Sequence, residues 1–223
     1  MNKKIYLLML SAPLLFAACN SSSVTPKVEA KQENITTQVE VAKQEVVVEN
    51  TTAIISEEPA VTYANSNEKV KSLGKLHISS FMETLKPTLM GLMKSDPTFK
   101  TAMGGCTSMA GSMTESYNSL SDTKVRRTAL KYRNPNNKPD ATDKTVMERF
   151  LASNNFNELL VVDMNDHYRV YKALDTKKPC LACHGENISS DLKGMLLKSY
   201  PTDMATNFKL GEFRGVVVAK VKK

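Results

Sequence analysis

Cys180-Leu181-Ala182-Cys183-His184 is the densest group of reactive side chains in the sequence: two thiols three residues apart, then an imidazole. Three chemistries use C-x-x-C. A dithiol redox pair opens a helix after a core strand of a parallel sheet, and no such sheet is legible here. A zinc site needs two more ligands, and Cys106, His77 and His167 offer no paired spacing. The third is attachment of a c-type haem, whose signature is C-x-x-C-H. Thiols at that spacing reach the two vinyl groups on one porphyrin edge, and the next imidazole lies under the ring. Cys180 and Cys183 are the expected thioether residues of one covalent haem c, and His184 is its proximal iron ligand.

For the opposite face of the iron, the residues leave Cys106, His77, His167 and any of 12 Met open. His77 sits on an amphipathic helix and reads as half-buried. His167 falls in an expected turn and reads as exposed. Met103, Met109 and Met113 fit the usual role of Met as core filler. Cys106 stands out for two reasons. It is the cysteine left over once the motif and Cys19 are explained. Gly104-Gly105 also precede it on a helix, at about 1 kcal/mol each against Ala, which implies something flat passing close to the backbone.

The elements that must position these groups follow from periodicity. Val70, Leu73, Leu76, Phe81, Leu85, Leu89 and Leu92 predict a helix from about Asn67, kinked or restarted at Pro87. A second helix is expected from Pro97 to Leu120, with Phe99, Met103, Cys106, Ala110 and Met113 near one face. Arg126–Tyr132 reads as a strand, followed by the turn-forming run Arg133–Asp140. Thr142–Ala152 reads as a helix. Leu159–Val162 and Tyr168–Tyr171 read as strands joined by a hairpin over Asp163–His167. Asp191–Lys198 is a short helix before Pro201. Gly215–Val221 is continuously apolar, which marks a central strand. The expected fold is α+β: two leading helices, then an antiparallel sheet with flanking helices.

Lys3 and Lys4, followed by a short apolar run to Phe16, form an export signal over residues 1–18. Leu15-Phe16-Ala17-Ala18-Cys19 resembles a bacterial lipobox, which makes Cys19 the expected lipidation site and the membrane a partner through that anchor. Residues 19–66 hold polar residues, Val, Tyr63 and no Gly, and read as a disordered tether. The expected location is the periplasmic side of the inner or outer membrane. Hydrophobic residues at 41% and charged residues at 24% fit a packed domain and exclude a membrane bundle. The net charge of +7 contains no block of five like charges, there is no Trp, and aromatics are 6%. Those values exclude a nucleic-acid surface.

Over residues 67–223 the chain resembles a bacterial family of exported or membrane-bound domains with a PAS-like fold, one c-type haem and no assigned function. The resemblance rests on Cys106, on Arg127-Thr128-Ala129-Leu130-Lys131-Tyr132-Arg133-Asn134-Pro135-Asn136 with Pro139-Asp140, and on Cys180–Gly185. It also rests on Tyr200-Pro201-Thr202-Asp203-Met204-Ala205 through Gly211–Gly215. It implies that Cys106 is the ligand opposite His184. The chain departs from the family at Ala110-Gly111, where Pro is usual. It has Ala129 for a frequent Ser, Asp143 for a frequent Glu, and Asn207-Phe208 for a Gly-aromatic pair. Arg127, Lys131 and Arg133 lie near enough in sequence to the turn to serve as haem propionate partners. Tyr200 would cover a haem edge or simply pack.

The expected function is electron transfer or redox reporting outside the cytoplasm, through an unidentified redox or signalling protein. The alternative is a haem-based redox or gas sensor working through a partner. An enzyme, such as a peroxidase, would need an open iron site and a distal acid/base from His77 or His167.

Overall fold

The computed structural model describes residues 60–223. The signal segment, Cys19 and the tether up to residue 59 lie outside the described residues. A four-stranded antiparallel sheet, in the order β1-β4-β3-β2, is the centre of the domain. Its strands are β1 (Lys124–Thr128), β2 (Leu159–Asp163), β3 (His167–Asp175) and β4 (Phe213–Lys222). The helices are α1 (Glu68–Ser95), α2 (Lys100–Ser119), α3 (Ala141–Ser153), the single turn α4 (Leu181–His184) and α5 (Ser190–Ser199). No helix among the described residues is long and apolar enough to cross a membrane.

β4 lies between β1 and β3, as its unbroken apolar run predicts. Its side chains alternate between two cores. Val217, Ala219 and Val221 face α1 and α2, with Val70, Ile78, Phe81, Leu85, Val125 and Val170. Val216 and Val218 face α3, with Val146, Met147, Phe150, Leu160 and Tyr171. A strand covered on both faces has no side for polar residues.

α1 is one continuous helix through Pro87 and does not restart there. Pro87 lies on its exposed side, where the carbonyl that proline leaves unpaired can reach water. α1 crosses the sheet closely because Gly74 has no side chain: a Cβ there would stand 2.4 Å from Val170 Cβ. α2 starts at Lys100, after Asp96 has turned the chain by accepting from the backbone N–H of Thr98 (2.8 Å) and Thr101 (2.9 Å). Residues 60–66, read as tether, belong to the folded body. Ala64 N–H donates to Val161 O (2.8 Å) and Asp163 N–H to Thr62 O (2.9 Å), so this segment runs along the β2 edge.

The expected strand Arg126–Tyr132 begins earlier and stops at Thr128. There the Thr128 hydroxyl and the Ala129 N–H turn aside to Asn137 O, at 3.0 and 3.3 Å. On the α3 face the frequent Glu is replaced by Asp143, which is fully buried. Asp143 accepts from Arg126 at 2.7 Å and from the Tyr171 hydroxyl at 3.0 Å, and closes a capping box with Asp140.

Candidate functional site

The C-x-x-C-H segment forms one tight turn after β3. Lys178–Cys180 is a 3-10 turn that runs into α4. Cys180, Cys183 and His184 thus fall three and four residues apart on a single helical face. Both motif thiols are free. The motif is held from outside by the segment 203–208. Phe208 N–H donates to His184 O (2.9 Å) and Asn207 N–H to Gly185 O (3.2 Å). Asn207 sits at φ 60°. After glycine, Asn is the residue that tolerates this region best, so the Gly-to-Asn departure keeps the turn.

His184 Nδ1 lies 2.7 Å from Ala205 O. A carbonyl only accepts, so Nδ1 carries the proton and the Nε2 lone pair is free to bind a metal. Burial, then the Arg214 and Arg133 charges, push the His184 pKa well below its ordinary value. The Phe208 ring stands edge-on to the imidazole, 6.4 Å away at 89°. Cys183 packs against an apolar wall from α2 and α5: Met103, Leu192 and Leu196, with Phe99, Ile188 and Met195 beside them.

Cys106, on α2, is brought to the same place. Its thiol and Cys183 are close enough to perturb each other electrostatically, and so are Cys106 and Arg127. The Cys106 thiol is exposed to water, yet surrounding protein raises its pKa, an effect that Arg127 and Arg133 oppose. Gly105 has a different reason from the one expected. A Cβ there would meet Leu92 Cδ1 at 2.3 Å, so it serves the α1–α2 contact. A Cβ at Gly104 would meet nothing within 4 Å.

The three expected propionate partners differ in how they are engaged. Lys131 donates to Thr206 O (2.6 Å) and lies 4.3 Å over the Phe208 ring. Arg133 is a clamp. Its Nε donates to Asp203 (2.9 Å) and its Nη2 to the carbonyls of Cys183 (2.6 Å) and Ala205 (3.2 Å). Arg127 has no ion-paired carboxylate among the described residues, and burial lowers its pKa. Tyr200 is buried and senses Cys106, Arg133 and Arg127.

The other axial candidates lie elsewhere. His77 Nδ1 is engaged with the Tyr117 hydroxyl (3.0 Å) and Ser121 Oγ (3.2 Å) between α1 and the end of α2. His167 is buried at 7% exposure, not exposed as expected, because it is the first residue of β3 and pairs with Lys222 of β4 instead of lying in the turn. At about 3.3 Å per residue, the nine residues of β3 separate it from the motif. Met103 is core filler in the apolar wall. Among the described residues, no three His, Cys, Asp or Glu side chains stand together as a bare-metal site.

Three contributors were not legible as site residues: Asp203, Ala205 and Arg214. Arg214 reaches Lys131 O (3.2 Å) and lies 3.4 Å from His184 Nδ1. Burial, then repulsion from Arg133, lowers its pKa to about 10. The closing segment was noted as a whole, but nothing local singles out these positions.

The Tll0287-like family model matches residues 21–221. The chain belongs to the Tll0287-like family. Among solved structures it is similar to that of the cyanobacterial haem-protein Tll0287, at 25% identity and a TM-score of 0.52, over 66% of this chain and 92% of that one. No curated protein matches. Membership in the Tll0287-like family agrees with the resemblance read from the sequence, to a single-haem family with a PAS-like fold. In this chain, the segments that carried the resemblance are those that build the site: α2 at Cys106, the run after β1, the motif turn, and the stretch from Tyr200 to Gly215.

Proposed function

We propose that the chain is a mono-haem c-type protein, tethered outside the cytoplasm by lipid on Cys19, that transfers electrons or reports redox state. One observation carries the reading: Cys180, Cys183 and His184 share one helical face, with the His184 Nε2 lone pair free and Cys106 gathered to the same place. The donor set fits a covalent haem. Two free thiols at the attachment spacing would form the thioethers, and the His184 imidazole would hold the iron. The solved relative is itself named a haem-protein. Bound there, a haem supplies a one-electron ferric/ferrous couple.

The chain's own residues do the rest. Ala205 O fixes the His184 tautomer and ring orientation, as partners of metal-bound histidines generally do. Arg133 ties the motif backbone to Asp203. The apolar wall of Met103, Leu192 and Leu196 keeps water from one side. Arg127 would be the cation left to pair with a propionate, because Lys131 and Arg133 already serve carbonyls and Asp203. Cys106 would supply the second protein ligand to the iron beside His184. Ligand identity sets a haem's potential, and a thiolate would favour the oxidised state. The partner is a redox or signalling protein.

The test is a redox titration of the purified mature protein, followed by carbon monoxide addition to the reduced form. A reversible one-electron wave without rapid CO binding is expected. CO binding within the mixing time would replace the electron-transfer reading with a gas sensor. Fatty-acid labelling that disappears in Cys19→Ser checks the tether. Label persisting in the variant would refute it.

A further inference from the structure

A break in the register of β4 sets the direction of Arg214. Leu174 pairs with Gly215, but Asp175 pairs with Phe213, so Arg214 is an extra residue with no partner on β3. In an unbroken strand, the face that takes Val218 and Val216 would take residue 214 next. Phe213 takes that place instead, against Phe150 (6.2 Å) and Phe156 (5.5 Å) in the α3-side core. Such bulges re-aim a side chain and recur beside functional sites. Gly215 makes this one feasible. It holds φ 144°, and a Cβ there would stand 2.6 Å from Thr128 O.

Released from alternation, the Arg214 guanidinium points at the motif. Its Nη1 donates to Lys131 O (3.2 Å), and its Cζ lies 4.9 Å over the Phe208 ring that flanks His184. Its Nη2 is 3.4 Å from His184 Nδ1. That nitrogen already donates its proton to Ala205 O, so it offers Arg214 no lone pair. The contact is a fixed positive charge beside an imidazole N–H, not a hydrogen bond.

Resting on the haem reading above, we propose that Arg214 is a positioning residue whose bulge-aimed cation, set against the non-ligating edge of His184, raises the midpoint potential of the iron that His184 holds. The couple is a one-electron change with no bond made or broken. A positive charge near the iron disfavours the more positive, oxidised state. The effect opposes the Ala205 carbonyl, which makes the imidazole a stronger donor, and the Cys106 thiolate.

The experiment is spectroelectrochemical titration of the haem-loaded wild type, R214Q and R214K. The pyridine haemochrome of each first establishes covalent haem. R214Q is expected to lower the reduced-to-oxidised ratio at fixed potential about tenfold, which is 59 mV for one electron. R214K, which keeps the charge, should stay within threefold of wild type. R214Q within twofold of wild type, or R214K as low as R214Q, overturns the proposal. R214M is the second neutral variant should R214Q fail to retain haem. If neither neutral variant retains haem while R214K does, the cation holds the group rather than its potential, and the proposal fails. A colourless wild type defeats the haem reading itself, which is a distinguishable result.

Discussion

Removing either partner of the Arg133–Asp203 pair should cost more than removing both in proportion. The pair is 2.9 Å long, with side chains only 10% and 3% exposed. Arg133 also donates to the carbonyls of Cys183 and Ala205, and Asp203 accepts from the Ala205 N–H at 2.8 Å. Truncating one member of such a pair strands a charge in the interior and costs about 3–5 kcal/mol. R133A and D203A should each lose that much. The double variant leaves no unpaired charge, although the Cys183 carbonyl and the Ala205 N–H lose their partners, so its loss should fall short of the sum by about 1–3 kcal/mol. In a domain of this size each kcal/mol lowers Tm by roughly 2–4 °C, so each single variant should melt about 6–20 °C lower. The assay is urea unfolding of all four proteins in the same haem state, followed by circular dichroism. Single-variant losses that add within about 0.5 kcal/mol would refute the clamp.

Gly74→Ala places a methyl 2.4 Å from Val170 Cβ. It should cost about 1–3 kcal/mol in thermal or urea unfolding, with part of the loss recovered in G74A/V170A. Acid stability should depend on Asp140. Burial alone would raise its pKa, but the Asp143 backbone N–H and the Arg169 guanidinium outweigh it, and the net shift is downward. Its contribution is therefore complete above the unfolded carboxylate value of about 3.9 and is lost as pH falls through the lower folded value. Tm against pH should fall less steeply there in D140N than in wild type, and parallel curves would remove the assignment. Cys106→Ala should change the ferric electron paramagnetic resonance spectrum, and an unaltered spectrum would exclude the thiol as the ligand opposite His184.

What the sequence made legible was local or periodic. The valines of β4 mark a central strand because nothing polar interrupts them, and the motif declares itself by spacing alone. The unbroken course of α1 through Pro87 was not legible, because proline's cost depends on which side of the helix faces water. The burial of His167 depends on β3 starting there and pairing with the end of β4, which lies far away in the sequence. The docking of Tyr63 along β2 looks like linker in a window rich in polar residues. Arg214 is the clearest case: its aim depends on a register shift against β3 and on Gly215 meeting Thr128 O, neither of which any local pattern encodes. The Gly104-Gly105 pair drew attention to Cys106, although Gly105 turns out to serve Leu92.

The most direct test is acid–acetone extraction of the mature protein, purified from a host able to attach c-type haem. The colour should stay with the polypeptide, and it should disappear from C180S/C183S. Colour that passes into the solvent, or a wild-type protein with none, would contradict the covalent haem at Cys180 and Cys183.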